Sequence, residues 1–307
     1  MCLIAAESSL GNAAASVGPR QSADETKLER TEYRLCLERH MIPYFELPSL
    51  QLPFGLAIHP FGVFVGLGLM AGAALAARAA RRYGPGDDRP LREVVTWALG
   101  GGVVGAHLMH LLAYHPEQLR NEGAIALLKV WDGLSSMGGV LGGLLAIALF
   151  FRARHIRLWP YLDALALGTA PGWAIARIGC SVAHDHPGVL TRFPLAVAFP
   201  GGPRHDLGLY DFLVLSVLSA LLYLLARRRP PEGTLMGVLA IGYSVPRFFL
   251  DFLRASDLPF VDGRILGLTA AQYVAPILIA VGVALLVRAR QTQGVGPGPV
   301  ESALPTR

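Results

Sequence analysis

Polar residues recur at helical spacing near the end of a long apolar segment around residue 250. Tyr243, Arg247 and Asp251 follow one another at intervals of four, which places their side chains on one face of a helix, and Arg254 lies about one turn further on. Because a guanidinium group can bind phosphate through two parallel hydrogen bonds, this face could hold an anion. The alternatives are an Arg–Asp pair that only locks the helix, or interfacial anchoring by its polar end.

A second polar group begins at Arg177, at the end of another apolar segment. It continues through Cys180 to the adjacent residues His184, Asp185 and His186. Two arginine-bearing helix ends on one side of a membrane could clamp a lipid phosphate between them. The histidines and the aspartate are adjacent loop residues with no further His or Cys close in sequence, so we predict no metal site. Cys180 is interpreted as a packing residue, because the sequence identifies no activating base beside it.

A third group consists of histidines. His107 and His110 lie three positions apart, with Tyr114 four positions beyond, so they share one helix face. This pattern is as compatible with packing as with function. His205 and Asp211 stand near the start of a further apolar segment. An acidic residue at a helix start is favoured by the helix dipole and is unremarkable by itself.

The elements that must position these groups are apolar helices. Hydrophobic residues make up 53% of the chain and charged residues only 16%, whereas a soluble protein carries about 25% charged residues. The apolar blocks are long enough to cross a bilayer and do not alternate as barrel strands would. We therefore predict an all-α polytopic membrane protein with about seven transmembrane helices. The predicted spans are about 56–80, 93–114, 135–152, 161–180, 208–226, 234–252 and 269–288.

Arginines predict how these helices are oriented. Arginine-rich loops at 78–92, 152–157 and 227–229 follow the first, third and fifth spans. The positive-inside rule places these loops and the C-terminus in the cytoplasm, and an odd number of spans leaves the N-terminus outside. These loops also explain the net charge of +5. The net charge is therefore attributed to membrane topology. We expect the lipid bilayer as a partner and expect no binding of nucleic acid.

The chain ends are expected to lie outside the membrane domain. Residues 1–40 are polar and are interpreted as a disordered extension, or as a stretch that precedes a true start at Met41. No cleavable signal peptide is evident there. The membrane domain is predicted over 41–290, and the Gly/Pro-rich residues 291–307 are predicted to form a disordered tail.

Six short motifs occur in a fixed order along the chain. They are Ile58–Gly62, Ser136–Gly143, Arg177–Gly188, His205–Asp211, Tyr243–Arg254 and Gly267–Gln272. In this order and at this spacing they resemble the prolipoprotein diacylglyceryl transferase family, inner-membrane enzymes of bacterial lipoprotein maturation. The resemblance covers about Ile42 to Val287, nearly all of the predicted membrane domain.

The resemblance implies a reaction and its substrates. The diacylglyceryl group of phosphatidylglycerol would be transferred to the thiol of a lipobox cysteine in a prolipoprotein signal peptide. The products would be a thioether-linked lipid and glycerol phosphate. This chemistry requires no metal and no redox cofactor. The expected location is the bacterial inner (cytoplasmic) membrane, with a multi-pass topology.

The resemblance also implies roles for particular residues. Arg177 and Arg247 are expected to hold the phosphate and stabilise its growing charge, with Asp251 and Asp185 orienting them. The thiol needs a base within hydrogen-bond reach, and the candidates are His184 and His107. The other residues expected to contact substrate are Tyr243, Tyr210, His205, Arg254 and Gly188.

The chain departs from the family pattern at several positions. Met137 stands where the family has a histidine that is considered catalytically important, and methionine can neither act as a base nor donate a hydrogen bond. His107 replaces a usual arginine, and Cys180 replaces the signature asparagine. Glutamate is usual at three further positions, namely Asp185, Asp211 and Asp251.

These departures leave three interpretations open. His107 or His184 takes over the missing role, the family's histidine is not essential here, or the chain is a divergent paralogue with altered activity. A non-catalytic paralogue that binds phospholipid or a signal peptide is therefore the main rival to an enzyme. A small-molecule transporter is disfavoured, because no inverted repeat or pair of broken helices is apparent.

Overall fold

The computed structural model describes residues 41–51, 57–130, 133, 135–258 and 264–293. The predicted tail at 1–40 lies outside these residues, as do residues 294–307 of the predicted tail at 291–307. Eight α-helices are described, which are α1 (Pro60–Tyr83), α2 (Arg89–Met109), α3 (Pro116–Glu122), α4 (Ser136–Ala153), α5 (Trp159–Ala183), α6 (Leu207–Ala226), α7 (Thr234–Leu250) and α8 (Ala270–Gln293). Two short antiparallel hairpins pair β1 (Leu50–Gln51) with β2 (Ala57–Ile58) and β3 (Pro187–Leu190) with β4 (Arg204–Asp206). Short π and 3-10 turns occupy His110–Tyr114, Gly123–Leu128 and Asp251–Leu253.

Five of the described helices are long and apolar enough to cross a membrane. They are Pro60–Tyr83, Arg89–Tyr114, Leu207–Ala226, Thr234–Leu253 and Ala270–Thr292. The predicted polytopic, mostly helical membrane protein is thereby confirmed. Helices α4 and α5 lie where the third and fourth spans are predicted. The last helix continues to Gln293, three residues past the predicted end of the membrane domain.

Glycines bring two pairs of helices into backbone contact. In the α1–α5 pair, a Cβ atom on Gly172 would lie 2.6 Å from the carbonyl oxygen of Gly68. In the α2–α4 pair, a Cβ atom on Gly142 would lie 2.2 Å from the carbonyl oxygen of Gly101. Glycine at these positions therefore permits the close approach of the two backbones. Gly62 differs, because a Cβ atom there would meet nothing within 4 Å.

A cap between α5 and α7 sets the relative height of these two parallel helices. Asp163 Oδ1, near the start of α5, accepts hydrogen bonds from the backbone N–H groups of Leu235 and Met236 at 2.9 and 3.1 Å. Arg177 lies 14 residues after Asp163, and Arg247 lies 12 residues after Leu235. At about 1.5 Å per residue these stretches rise about 21 and 18 Å. The two arginines therefore reach nearly the same level at the opposite end of the bundle, which we call the arginine end.

The hairpin of β3 and β4 closes the arginine end. The Arg204 guanidinium donates to both carboxylate oxygens of Asp257, at 3.0 and 2.5 Å, and to the carbonyl of Gly188 at 3.1 Å. Gly188 forms a backbone bridge with Arg254. A Cβ atom on Gly188 would lie 2.7 Å from the Leu253 carbonyl oxygen. Gly188, predicted as a substrate-site residue, thus permits a close backbone approach beside the arginines.

Candidate active site

Two arginines from different helices share one carboxylate at the arginine end. Arg177 Nε lies 3.2 Å from Asp211 Oδ2, and Arg247 Nη1 donates to the same oxygen at 2.9 Å. The Asp211 side chain is 1% exposed. The structure therefore brings together the two arginines that the sequence predicts as partners. It also adds Asp211, which the sequence analysis attributes to the helix dipole.

The ion-pair network continues from Arg247 to the end of α7. Asp251 Oδ1 accepts from Arg247 Nη2 at 3.0 Å and from Arg254 Nη2 at 3.2 Å. Its second oxygen accepts a hydrogen bond from the Thr269 hydroxyl. The predicted spacing of Arg247, Asp251 and Arg254 on one face is thus realised as direct contact. Asp251 orients two arginines instead of one.

The network gathers several charged groups in a buried setting. Three guanidinium groups, from Arg177, Arg247 and Arg254, meet two carboxylates, from Asp211 and Asp251. A buried cation is costly unless an anion compensates it. Asp185 adds a third carboxylate, whose charge interacts with Arg177 and Arg254. Guanidinium groups gathered in this way are suited to bind a phosphate.

The two terminal nitrogens of the Arg177 guanidinium contact two further side chains. Nη2 donates to the Tyr243 hydroxyl at 3.2 Å, and Nη1 donates to Cys180 Sγ at 3.5 Å. The Tyr243 ring lies 4.7 Å from the Trp173 ring, and the Arg177 guanidinium lies 5.8 Å from the same indole. These contacts fix the guanidinium from several directions. Tyr243, predicted to bind substrate, holds Arg177 in this structure.

A cavity of about 850 Å³ opens beside this network. Its walls come from the chain before α1, the first turn of α1 and the last turn of α5. The polar lining residues are Tyr44, Glu46, His59 and Asp185, and Phe61, Val63 and Val182 are among the apolar ones. This volume lies within the range of small-molecule sites. Gly62, whose missing side chain leaves open space, also lines it.

Asp185 and His186 lie between this cavity and the arginines. Burial raises the pKa of the Asp185 carboxyl to about 6, although Arg177 opposes the shift. Burial, with the charges of Arg254, Arg177 and Arg247, lowers the pKa of His186 to about 4. At neutral pH Asp185 is therefore mostly ionised and His186 is neutral.

One thiol lies close to these two side chains. Ligand-type atoms of Cys180, Asp185 and His186 lie within 4.8 Å of one another. A thiol, a carboxylate and an imidazole at this distance could ligate a metal ion. However, the Arg177 cation already contacts the same sulfur, which disfavours a divalent cation. We therefore describe the three residues as a polar cluster.

His184, predicted as a candidate base, forms part of a structural junction. It ends α5 in the left-handed conformation at φ 50°. Nδ1 lies 3.3 Å from Asp206 Oδ2, and Nε2 lies 2.9 Å from the carbonyl oxygen of Phe45. The ring stacks on Tyr44 at 4.4 Å. Since both nitrogens contact these neighbours, the geometry does not favour His184 as the thiol base.

His107, the other candidate base, anchors the segment that follows α3. Its buried ring lies with Nε2 3.0 Å from the Ala126 carbonyl oxygen and Nδ1 3.3 Å from that of Gly133. This geometry does not favour His107 as the base either. His110 packs nearby against His115, with ring centroids 4.5 Å apart. The side chain of Met137 lies outside the part of the chain that the structure describes.

His205 and Tyr210 pair with each other. His205 Nδ1 lies 2.8 Å from the Tyr210 hydroxyl, which also reaches the Leu195 carbonyl at 3.5 Å. Both residues were predicted to contact substrate. Their described hydrogen bonds connect β4, the start of α6 and the preceding loop. Since His205 belongs to β4, the pair ties the hairpin at the arginine end to the start of α6.

Comparison with known proteins relates the whole membrane domain to one family. Residues 49–288 match the family model described as prolipoprotein diacylglyceryl transferase. A phosphatidylglycerol–prolipoprotein diacylglyceryl transferase of Agrobacterium fabrum is 31% identical over 268 residues, which cover 81% of this chain and 95% of the relative. Proteins of the same name from Rhizobium leguminosarum and Nitratidesulfovibrio vulgaris are 32% and 31% identical. They cover 82% and 84% of this chain and 95% and 99% of their own lengths.

Proposed function

The chain belongs to the prolipoprotein diacylglyceryl transferase family, and we propose from this membership that it transfers the diacylglyceryl group of phosphatidylglycerol to a prolipoprotein. The acceptor is the thiol of the lipobox cysteine in the signal peptide. The thiol sulfur forms a bond to the glyceryl carbon, and glycerol phosphate leaves. The protein is therefore a membrane-bound transferase of lipoprotein biosynthesis.

The proposed setting is the bacterial inner membrane, crossed seven times by α1, α2 and α4 to α8. The arginine-rich loops at 78–92, 152–157 and 227–229 lie at the end of the bundle that carries Asp163. The positive-inside rule assigns this end to the cytoplasm. The arginine end then lies at the outer leaflet, with the N-terminus outside and the C-terminus inside.

The observation that carries this function is the shared contact of Arg177 and Arg247 with Asp211. It brings two guanidinium groups from different helices to one place within a buried network of charged groups. When the ester bond breaks, negative charge grows on the leaving phosphate. Prearranged cations in a site of low dielectric constant stabilise such charge strongly. Both arginines act on the transition state of this step.

The acceptor thiol must approach from a direction that leaves the arginines free for the phosphate. The cavity of about 850 Å³ supplies such a route, because it reaches the network through Asp185. Its lining is largely apolar with a few polar groups, which suits the end of a signal peptide.

The test is a transfer assay with the full chain in vesicles that contain phosphatidylglycerol. A lipobox peptide is the acceptor, and mass spectrometry detects the diacylglyceryl thioether. Arg177→Ala and Arg247→Ala should each lower the rate at least 100-fold, whereas Arg92→Ala is the matched control. Arg92 pairs with Asp88 at the opposite end of the bundle and is 62% exposed. Binding of peptide or phospholipid without any thioether product would instead identify a non-catalytic paralogue.

A further inference from the structure

Two carboxylates line the cavity, and they differ in their surroundings. Glu46 accepts a hydrogen bond from the Tyr44 hydroxyl at 2.6 Å. Asp185 instead lies within the field of Arg177 and Arg254. The Asp185 side chain keeps 39% exposure, so its oxygens can be reached from the cavity. Asp185 therefore connects the cavity with the arginine network.

The arginines do not depend on Asp185 for their orientation. Arg177 and Arg247 pair with Asp211, and Arg247 and Arg254 pair with Asp251. The orienting role that the family resemblance suggests for Asp185 is thus filled by other carboxylates. Asp185 Oδ1 lies 3.8 Å from Nδ1 of His186, which is neutral at neutral pH. The Asp185 carboxylate is therefore available for a different role at the reaction site.

The polar cluster shows that a sulfur atom can lie close to both this carboxylate and a cation. Cys180 Sγ lies within 4.8 Å of the Asp185 carboxylate and 3.5 Å from Arg177 Nη1. The arrangement shows that a sulfur atom here comes within reach of a carboxylate that could accept a proton and of a cation. Cys180 itself is buried.

We propose that Asp185 is the base that takes the proton from the acceptor thiol. This inference rests on the proposed function and names the catalytic residue that the sequence leaves open. It assigns the task to neither His184 nor His107, whose ring nitrogens contact other groups.

The proposed step balances in atoms and charge. The S–H proton passes to the Asp185 carboxylate, and the sulfur attacks the glyceryl carbon that carries the phosphate ester. The carbon–oxygen bond breaks, and its electron pair leaves with the glycerol phosphate. The proton on Asp185 then passes to this phosphate, whose second pKa is about 6. Asp185 is thereby ionised again for the next cycle.

The pKa of Asp185 suits this step better than the pKa of its neighbour His186. A carboxyl group with a pKa of about 6 is mostly ionised at neutral pH and is still a useful base towards a thiol of pKa about 8.5. The lowered pKa of His186, about 4, makes it a weaker base. The charged groups that act on Asp185 include Arg177, Arg254 and Asp206.

The test compares two acceptor peptides, one with cysteine and one with selenocysteine in the lipobox. A selenol is ionised at neutral pH, so it needs no base. Asp185→Asn in the full chain should lower transfer to the thiol peptide at least 100-fold, within the range for removal of a general base. Transfer to the selenol peptide should fall less than tenfold. Asp185→Glu should retain activity with both peptides, and wild-type transfer to the thiol should decline below about pH 6.

The outcomes separate a base from a structural group. Equal losses with both peptides in Asp185→Asn would overturn the inference, since a misplaced site would not distinguish thiol from selenol. Undiminished transfer to the thiol peptide would overturn it as well. Glu46→Gln, which changes the other cavity carboxylate, should leave the ratio of the two rates unchanged. If the wild-type chain transferred to neither peptide, the proposed function would fall together with this inference.

Discussion

Arg177 and Arg247 contact the same atom, Oδ2 of Asp211, at 3.2 and 2.9 Å. One carboxylate at the start of α6 thereby sets the separation of two cations carried by α5 and α7. The Asp211 side chain is 1% exposed. Interactions between charges buried in this way are screened least by water and salt. The geometry of the proposed phosphate site therefore depends on a residue that need not touch the substrate.

Asp211→Asn is expected to weaken this arrangement while keeping its shape. The amide can accept a hydrogen bond but cannot balance two guanidinium charges. Hydrogen bonds to charged groups contribute about 1.5–3 kcal/mol, so kcat/KM should fall about 10- to 150-fold. Initial rates over a range of phosphatidylglycerol concentrations would measure this.

The matched control is Asp88→Asn, since Asp88 also pairs with two arginines, Arg81 and Arg92. That cluster lies at the opposite end of the bundle. Transfer rates within twofold of the wild type are expected. A comparable loss in both variants would mean that Asp211 acts through general stability.

Tyr243→Phe is expected to lower the transfer rate about 10- to 150-fold, because one hydrogen bond from a fixed cation, which contributes about 1.5–3 kcal/mol, is lost. The ring would keep its contact with Trp173, so thermal stability should change little. The rate and the melting temperature, both measured in detergent, would separate the two effects. A large drop in melting temperature would show that the hydroxyl is needed for folding instead.

The part of the site that the sequence predicts follows from helical spacing. Arg247, Asp251 and Arg254 lie on one face because the helix period requires it, and they do make contact. Asp211 was missed because an acidic residue at a helix start already has an explanation in the helix dipole. Its contacts to Arg177 and Arg247 depend on tertiary packing, which the period does not encode.

The two candidate bases also show that local sequence does not reveal tertiary contacts. Residue type alone makes His184 and His107 plausible bases. The ring of His184 is placed by Tyr44 and Phe45, about 140 positions earlier in the chain. His107 is fixed by backbone carbonyls of a loop after α3. Neither arrangement leaves a signal in the local sequence. The positions of the helices do leave such a signal, because apolar blocks of this length can form little other than helices in lipid.

Gly172→Val should destabilise the contact between α1 and α5. Even a Cβ atom there would lie 2.6 Å from the Gly68 carbonyl oxygen, which is backbone and cannot turn away. The expected loss is about 1–3 kcal/mol, the usual cost of overpacking. Thermal unfolding in detergent would measure it. Gly66→Ala is the control, because a Cβ atom at Gly66 meets nothing within 4 Å. An unchanged melting temperature in Gly172→Val would contradict the close packing of these helices.

Asp163→Ala is expected to loosen the start of α7 and, through it, the arginine site at the far end. Asp163 accepts hydrogen bonds from the N–H groups of Gly233, Leu235 and Met236, which α7 cannot satisfy internally. Loss of such a cap costs about 0.5–2 kcal/mol. If the cap also sets the height of Arg247 relative to Arg177, the transfer rate should fall more than the unfolding free energy explains. Asp163→Asn, which keeps an acceptor, should recover most of both. A rate that stays unchanged while stability drops would restrict the cap to a structural role and leave the alignment of the arginines to Asp211.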